Sequence, residues 1–241
     1  MSSISKATEN ICRLFWFIFI PLCGILYFVK TVLFLDKTEY GPNEETFEKA
    51  GEILKNGGIC AFPTDTVYGL GAVYTDVEAV KKIFAAKGRD EGKPLSILIS
   101  DVSQVRMLVD DIPEGAYKLM EKFWPGALTI IFNKNDSVPK EVAAHGSTVG
   151  VRMPANDTAR AVIRAAGAPL AAPSANTSGK RSSVTAGDVK EDLDGKIDMI
   201  IDGGECNLGI ASTVLDMTGP EIKILREGLV TREMIEETLS H

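Results

Sequence analysis

The sequence predicts an α/β protein: a single domain with a mixed β-sheet flanked by helices, preceded by an apolar N-terminal segment. Three observations carry the prediction. From Thr31 onward, short apolar runs bounded by Pro or Gly alternate with segments whose apolar residues recur at helical spacing. Strand-like runs follow one another without a helix near 130–150 and 200–225, so the sheet is not purely parallel. No repeat, low-complexity tract or long linker interrupts residues 31–241, which read as one unit.

Each element has a local reason. Thr31–Leu35 reads as a first strand. Phe47, Ala50, Gly51 and Leu54 form one apolar helix face, stopped by Gly57-Gly58. Ile59–Phe62 reads as a buried strand ending at Pro63. Thr75-x-x-Glu78 has the form of a capping box before a helix that turns Val77, Val80 and Phe84 inward. Leu95–Ile99 reads as a strand, followed by helices around Val102–Val109 and Glu114–Phe123. Ala127–Phe132 is a strand after the Trp124-Pro125-Gly126 turn, and Thr148–Val151 is another. Asp157–Ala166 is helical with Asn156 as cap, Leu170–Ala172 is a short strand, and Thr185-x-x-Asp188 caps the next helix. Met199–Ile201, Thr213–Leu215 and Ile222–Leu225 complete the strands, and Thr231 opens the last helix.

Composition narrows the chemistry. The chain has 241 residues, 45% hydrophobic and 24% charged, a globular profile, and its formal net charge of −7 argues against a general nucleic-acid-binding surface. The four cysteines form no C-x-x-C pair, so neither a disulfide scaffold nor a zinc site is expected. Only His145 and His241 could serve a histidine relay or a histidine-ligated metal. Sequons stand at Asn135, Asn156 and Asn176.

Residues 1–30 stand apart. "LFWFIFIPLCGILYFV", between Arg13 and Lys30, falls short of a spanning helix and is interrupted by Pro21 and Gly24. No small-x-small cleavage site follows before Tyr40. Three readings stay open: a membrane anchor, a segment packed on the domain or a partner, or a start assigned upstream of a native start at Val29.

Nucleotide fingerprints are missing. Tyr74 stands where a third glycine would follow Gly69 and Gly71, and no G-x-x-x-x-G-K-[ST] occurs. Ser174 lacks the flanking glycines of a nucleophile elbow. Four segments are chemically loaded instead. "FPTDTVYGLG" crowds Thr64, Asp65, Thr66 and Tyr68 after a buried strand, though a plain Pro/Gly turn would look similar. "AKGRDEGKP" places Lys87, Arg89 and Lys93 after a helix, where basic residues also serve the helix dipole. "TVGVRMP" ends an apolar strand with Arg152, in the parity of Thr148 and Gly150, where a guanidinium is costly unless it meets an anion. "ILREG" repeats this with Arg226. With the hydroxyls of "APSANTSGKRSS", these describe a crevice suited to a polyphosphate and a small zwitterion.

Lys87-x-Arg89 with Ser174-x-Asn176 resembles the KxR…SxN signature of YrdC-type threonylcarbamoyl-AMP synthases. "FPTDTVYGLGA", "WPGALTII", "VGVRMP", "APSANTSG", "IDGG" and "STVLD" appear in the family's order, from about Thr31 to the C-terminus. The resemblance implies a YrdC-like catalytic domain over 31–241, a single-domain twisted mixed β-sheet flanked by helices with an open concave cavity, in the short form without an extra C-terminal domain. It implies a nucleotidyltransferase that joins L-threonine, bicarbonate and ATP, with Mg²⁺, into threonylcarbamoyl-AMP and pyrophosphate. A partner transferase complex would then modify tRNAs reading ANN codons. By resemblance, Thr66, Arg152, Ser212 and the backbone at Ala172 would bind threonine. Arg89, Lys93, Thr148, Ser174, Ser182 and Arg226 would bind ATP. Lys87, Arg89, Ser174 and Asn176 would form the catalytic signature, with no protein ligand needed for the metal. Two departures stand out: Leu98 where some relatives carry histidine, and Lys180–Ser183 in place of a proline-containing loop, here the candidate lid. The alternative is a module that binds double-stranded RNA or tRNA in the same cavity without adenylation.

Overall fold

The computed structural model describes residues 32–34 and 42–240; the apolar segment, Thr31 and Leu35 lie outside the described residues. In chain order the strands are β1 (Val32–Phe34), β2 (Cys60–Phe62), β3 (Gly69–Val73), β4 (Ile97–Leu98), β5 (Leu128–Asn133), β6 (Thr148–Arg152), β7 (Leu170–Ala171), β8 (Met199–Ile201), β9 (Thr213–Asp216) and β10 (Lys223–Arg226). They form one sheet in the order β1-β8-β2-β3-β7-β4-β6-β5-β9-β10. The predicted mixture of directions is present: β4–β6 and β5–β9 are parallel, whereas β5–β6 and β9–β10 are antiparallel. Of the strands near 200–225 only β9 and β10 pair, because β8 inserts between β1 and β2 on the other half of the sheet.

The helices are α1 (Glu44–Lys55), α2 (Val77–Lys87), α3 (Glu114–Phe123), α4 (Asp157–Ala166), α5 (Ala186–Leu193) and α6 (Arg232–Ser240). The Asn156 cap and the Thr185–Asp188 capping box form as expected. The cap of α2 does not: Asp76, not Thr75, accepts from Ala79 N at 3.0 Å. A carboxylate one residue later is already in extended backbone and is a strong acceptor for the first-turn amides. Val102–Met107 is a 3-10 helix capped by Asp101, not an α-helix reaching Val109. Sequence reading also missed β3, whose glycines suggested a loop. A Cβ on Gly71 would lie 2.8 Å from the Phe62 ring, so the strand pairs with β2 only with a glycine there.

Strand parity divides the sheet into two faces. On one, Leu70, Ile97, Leu128, Ile130, Val149 and Val151 join the larger core, which also takes in residues of α2, α3 and α5. On the other, Phe62, Leu98, Leu170 and Met199 pack with residues of α1 and α4. The α1–α4 approach is close, for a Cβ on Gly51 would sit 2.5 Å from the Ala165 carbonyl oxygen. Along β6 and β5 this second face changes character: Thr148, Gly150 and Arg152 alternate with the core valines, and a Cβ on Gly150 would meet Thr129, Ser96 and Ile131. The fold thus leaves a small, polar surface beside the apolar half that the helices cover. Among the described residues, no helix is long and apolar enough to cross a membrane.

Candidate functional site

Arg152 ends β6 on this polar surface and is only 6% exposed. Its Nε donates to the Gly126 carbonyl at 2.9 Å, one terminal nitrogen to Thr66 Oγ1 at 2.8 Å, and the other to Asp65 Oδ1 at 2.7 Å. Burial lowers its pKa and the Asp65 charge opposes that, so the guanidinium stays charged because it is paired. The 62–71 segment is shaped for this. Thr64 Oγ1 receives the amides of Thr66 and Val67 and donates to the Val67 carbonyl at 2.6 Å, which turns Thr66 inward.

Ser212 and Arg226 adjoin. Arg226 ends β10 and donates from Nε to the Ser212 carbonyl at 2.9 Å and from a terminal nitrogen to Ser212 Oγ at 3.2 Å. Although the residue as a whole is exposed, partial burial of its guanidinium lowers its pKa, and its charge acts on Arg152. Ser212 Oγ lies 2.8 Å from Thr129 Oγ1, and both residues are buried. The Ala172 amide donates to the Ser96 carbonyl at 2.8 Å, fixing the β7 end beside the Gly150 floor.

The signature residues form a second knot. Lys87, at the C-terminal end of α2, is 2% exposed, and its ammonium donates to the main-chain carbonyls of both Ser174 and Asn176. Burial, then the nearby Arg89 charge, push its pKa down to about 8, and the Asp192 charge works the other way. Ser174 Oγ donates to Asn176 Oδ1 at 2.5 Å, and the Asn176 amide reaches the carbonyls of Thr177 and Lys180. Ser183 Oγ donates to the Ala175 carbonyl, and the Ser183 carbonyl accepts the Tyr68 amide. Much of the small polar chemistry of "SANTSGK" therefore holds its own loop in shape. Lys180 pairs with Asp192 at 2.6 Å, and Thr177 N donates to the same carboxylate at 2.9 Å. The candidate lid is thus pinned at Lys180 and Ser183, leaving exposed Arg181 and half-buried Ser182 between.

Arg89 projects just beyond α2. One terminal nitrogen donates to the Pro94 carbonyl, while Nε is buried without a partner among the described residues. A buried, unanswered N–H on a guanidinium is the kind of group an anionic ligand satisfies. Thr148 shares the parity of Gly150 and Arg152 on β6 and is half exposed. Lys93 is exposed in the loop after α2, and none of the contacts above involves its side chain. Leu98 is 4% exposed in the core with Phe62, Leu170 and Ala172, an apolar position under the site.

Thr129, the partner of Ser212, and Asp192, the loop anchor, were not singled out by sequence reading, and Asp65, named within the 62–71 segment, was not read as the partner of Arg152. Only Thr129 had a usable signal, a hydroxyl inside the apolar run "ALTIIF". Among the described residues no group of three or more His, Cys, Asp or Glu side chains is placed to hold a metal. Asp65, the carboxylate nearest this surface, is paired with Arg152. A separate cavity of about 640 Å³ between α1 and α4, lined by Phe47, Asp157 and Arg164, holds none of these residues.

A family model for Sua5, YciO and YrdC proteins, described as telomere recombination, matches residues 52–228. The threonylcarbamoyl-AMP synthase of Bacillus subtilis (strain 168) is 46% identical over 208 residues, covering 86% of this chain and 60% of its own length. Among solved structures, P. abyssi Sua5 complexed with L-threonine is similar with a TM-score of 0.80 at 45% identity, over 81% of this chain and 58% of that one. E. coli YciO gives 0.71 at 29% identity, over 78% of this chain and 91% of that one. The chain therefore spans about three fifths of the Bacillus relative and most of YciO.

Proposed function

The chain belongs to the Sua5/YciO/YrdC family, and on that premise we propose that it is a nucleotidyltransferase making L-threonylcarbamoyl-AMP from L-threonine, bicarbonate and ATP. The observation that carries the reading is Arg152: a buried guanidinium with N–H groups to spare and its charge paired with Asp65, whereas Arg89 and Arg226 form no ion pair among the described residues. A small zwitterion and a polyphosphate need two such separate anion sites. That the P. abyssi relative was solved with L-threonine supports assigning the first site to that amino acid.

In this reading Arg152 takes the threonine carboxylate, a bidentate task for which lysine is a poor substitute. Thr66, Ser212 and the Ala172 backbone surround the rest of the molecule. The threonine amine and bicarbonate condense to a carbamate with loss of water. A carbamate oxygen then attacks the α-phosphorus, and the bond to pyrophosphate breaks. Arg89, Lys93, Thr148, Ser174, Ser182 and Arg226 bind ATP and the charge that gathers on the departing pyrophosphate. Lys87 and Asn176 hold the loop that presents Ser174. Chemistry of this kind depends on positioning and charge neutralisation, so scarce histidine is no obstacle. Mg²⁺ carried by the nucleotide would add charge neutralisation of its own. The product is an activated acyl adenylate, and a transferase complex that modifies tRNA is its proposed consumer, which puts the activity in the cytoplasm.

The test is pyrophosphate release by the full chain with ATP, Mg²⁺ and bicarbonate, with and without L-threonine. Release that requires both threonine and bicarbonate, with a product of the expected mass, is the outcome predicted. Release indifferent to threonine, or none from folded protein, would overturn the proposal.

A further inference from the structure

Asp65 decides how Arg152 meets a ligand. A guanidinium carries five N–H groups, and three are committed here: to the Gly126 carbonyl at 2.9 Å, Thr66 Oγ1 at 2.8 Å and Asp65 Oδ1 at 2.7 Å. One N–H remains on each terminal nitrogen. Both can donate to a ligand carboxylate. The Asp65 carboxylate is itself held from the far side of the strand end, where Oδ1 also accepts the Ala155 amide at 3.1 Å. The side chains of Arg152 and Asp65 are 7% and 12% exposed, so neither swings freely.

The pair also partitions charge. Arg152 and Asp65 cancel, whereas no ion pair is formed by Arg89, Lys93 or Arg226 among the described residues. A polyphosphate is drawn to uncompensated cations, and a single carboxylate can be read by hydrogen-bond geometry alone. We infer that Asp65 is a positioning and specificity-determining residue. It aims the two unspent N–H groups of Arg152 at the amino-acid carboxylate, and its charge cancels that of Arg152, leaving the polyphosphate of ATP to the unpaired cations Arg89, Lys93 and Arg226. This rests on the proposed synthase reading.

Two variants of the full chain separate the two roles. Asp65→Asn keeps the shape and one acceptor but removes the charge. Asp65→Glu keeps the charge but moves it by one methylene. With Asp65→Asn, the KM for L-threonine is expected to rise about tenfold or more, with a smaller change in the KM for ATP, and inorganic pyrophosphate should become competitive with threonine. With Asp65→Glu, the threonine KM should rise while pyrophosphate stays non-competitive. A fall in kcat with both KM values and the inhibition pattern unchanged in either folded variant would overturn the inference. If Asp65→Asn fails to fold, the Asp65→Glu comparison decides. If the wild-type chain shows no turnover, the synthase reading fails, and calorimetric titration with L-threonine and pyrophosphate then tests Asp65. Wild type should bind both independently and Asp65→Asn should bind them in competition; independent binding by the variant, or no threonine binding by wild type, would overturn it.

Discussion

The ammonium of Lys87 donates to the main-chain carbonyl of Asn176, tying the end of α2 to a loop 89 residues further along the chain. The same ammonium reaches the Ser174 carbonyl, so one buried charge orders both serine and asparagine of the signature. Folding lowers the Lys87 pKa to about 8 from 10.5. Between those values the unfolded chain binds more protons than the folded one, so this group's contribution to stability rises as pH rises through about 8. The span corresponds to about 3 kcal/mol. Denaturant titrations of wild type and Lys87→Met should show wild type gaining on the variant between about pH 7 and pH 9.5. A constant difference would mean that Lys87 titrates as an ordinary lysine.

Arg152→Lys keeps a positive charge but cannot reproduce three directed bonds to Gly126, Thr66 and Asp65. The expected cost is about 2 kcal/mol of folding stability, read as a lower urea midpoint, with threonine-dependent pyrophosphate release falling by about 100-fold or more.

Thr129→Val is nearly isosteric and leaves Ser212 Oγ without its 2.8 Å partner inside the fold. A loss of about 1–3 kcal/mol is expected in denaturant unfolding. Ser212→Ala in the same background should then cost less than it does alone, because the two hydroxyls satisfy each other.

Asp192→Ala removes the acceptor for both Lys180 Nζ and the Thr177 amide. Hydrogen exchange at 177–182 should quicken by about tenfold or more, while exchange in β5 and β6 stays unchanged. In wild type the Asp192 pKa is lowered, first by Lys180 and then by the Thr177 amide. The tether is therefore present above the ordinary aspartate range and is lost as pH falls through the depressed value. Equal protection in wild type and variant would show that the bonds from Asn176 and at Ser183 hold the loop without Asp192.

The helix at Asp157–Ala166 with its Asn156 cap and the strand at Met199–Ile201 stand where the sequence places them, because caps and apolar runs are local signals. Arg152, Arg226, Thr66 and the Ser174–Asn176 segment were also legible, since a charge or a cluster of hydroxyls at the end of an apolar strand is conspicuous in one dimension. Strand β3 was not, because its glycines are needed for the approach of Phe62 from a neighbouring strand.

Local sequence thus determined most of the elements and the mixed sheet by itself. The tertiary structure alone decided their partners: Asp65 for Arg152, Thr129 for Ser212, and two carbonyls for Lys87. The physical reason is that hydrophobic period and capping act within a few residues. These bonds close over 83 to 89 residues, and a main-chain carbonyl, which every residue carries, leaves no trace in the sequence.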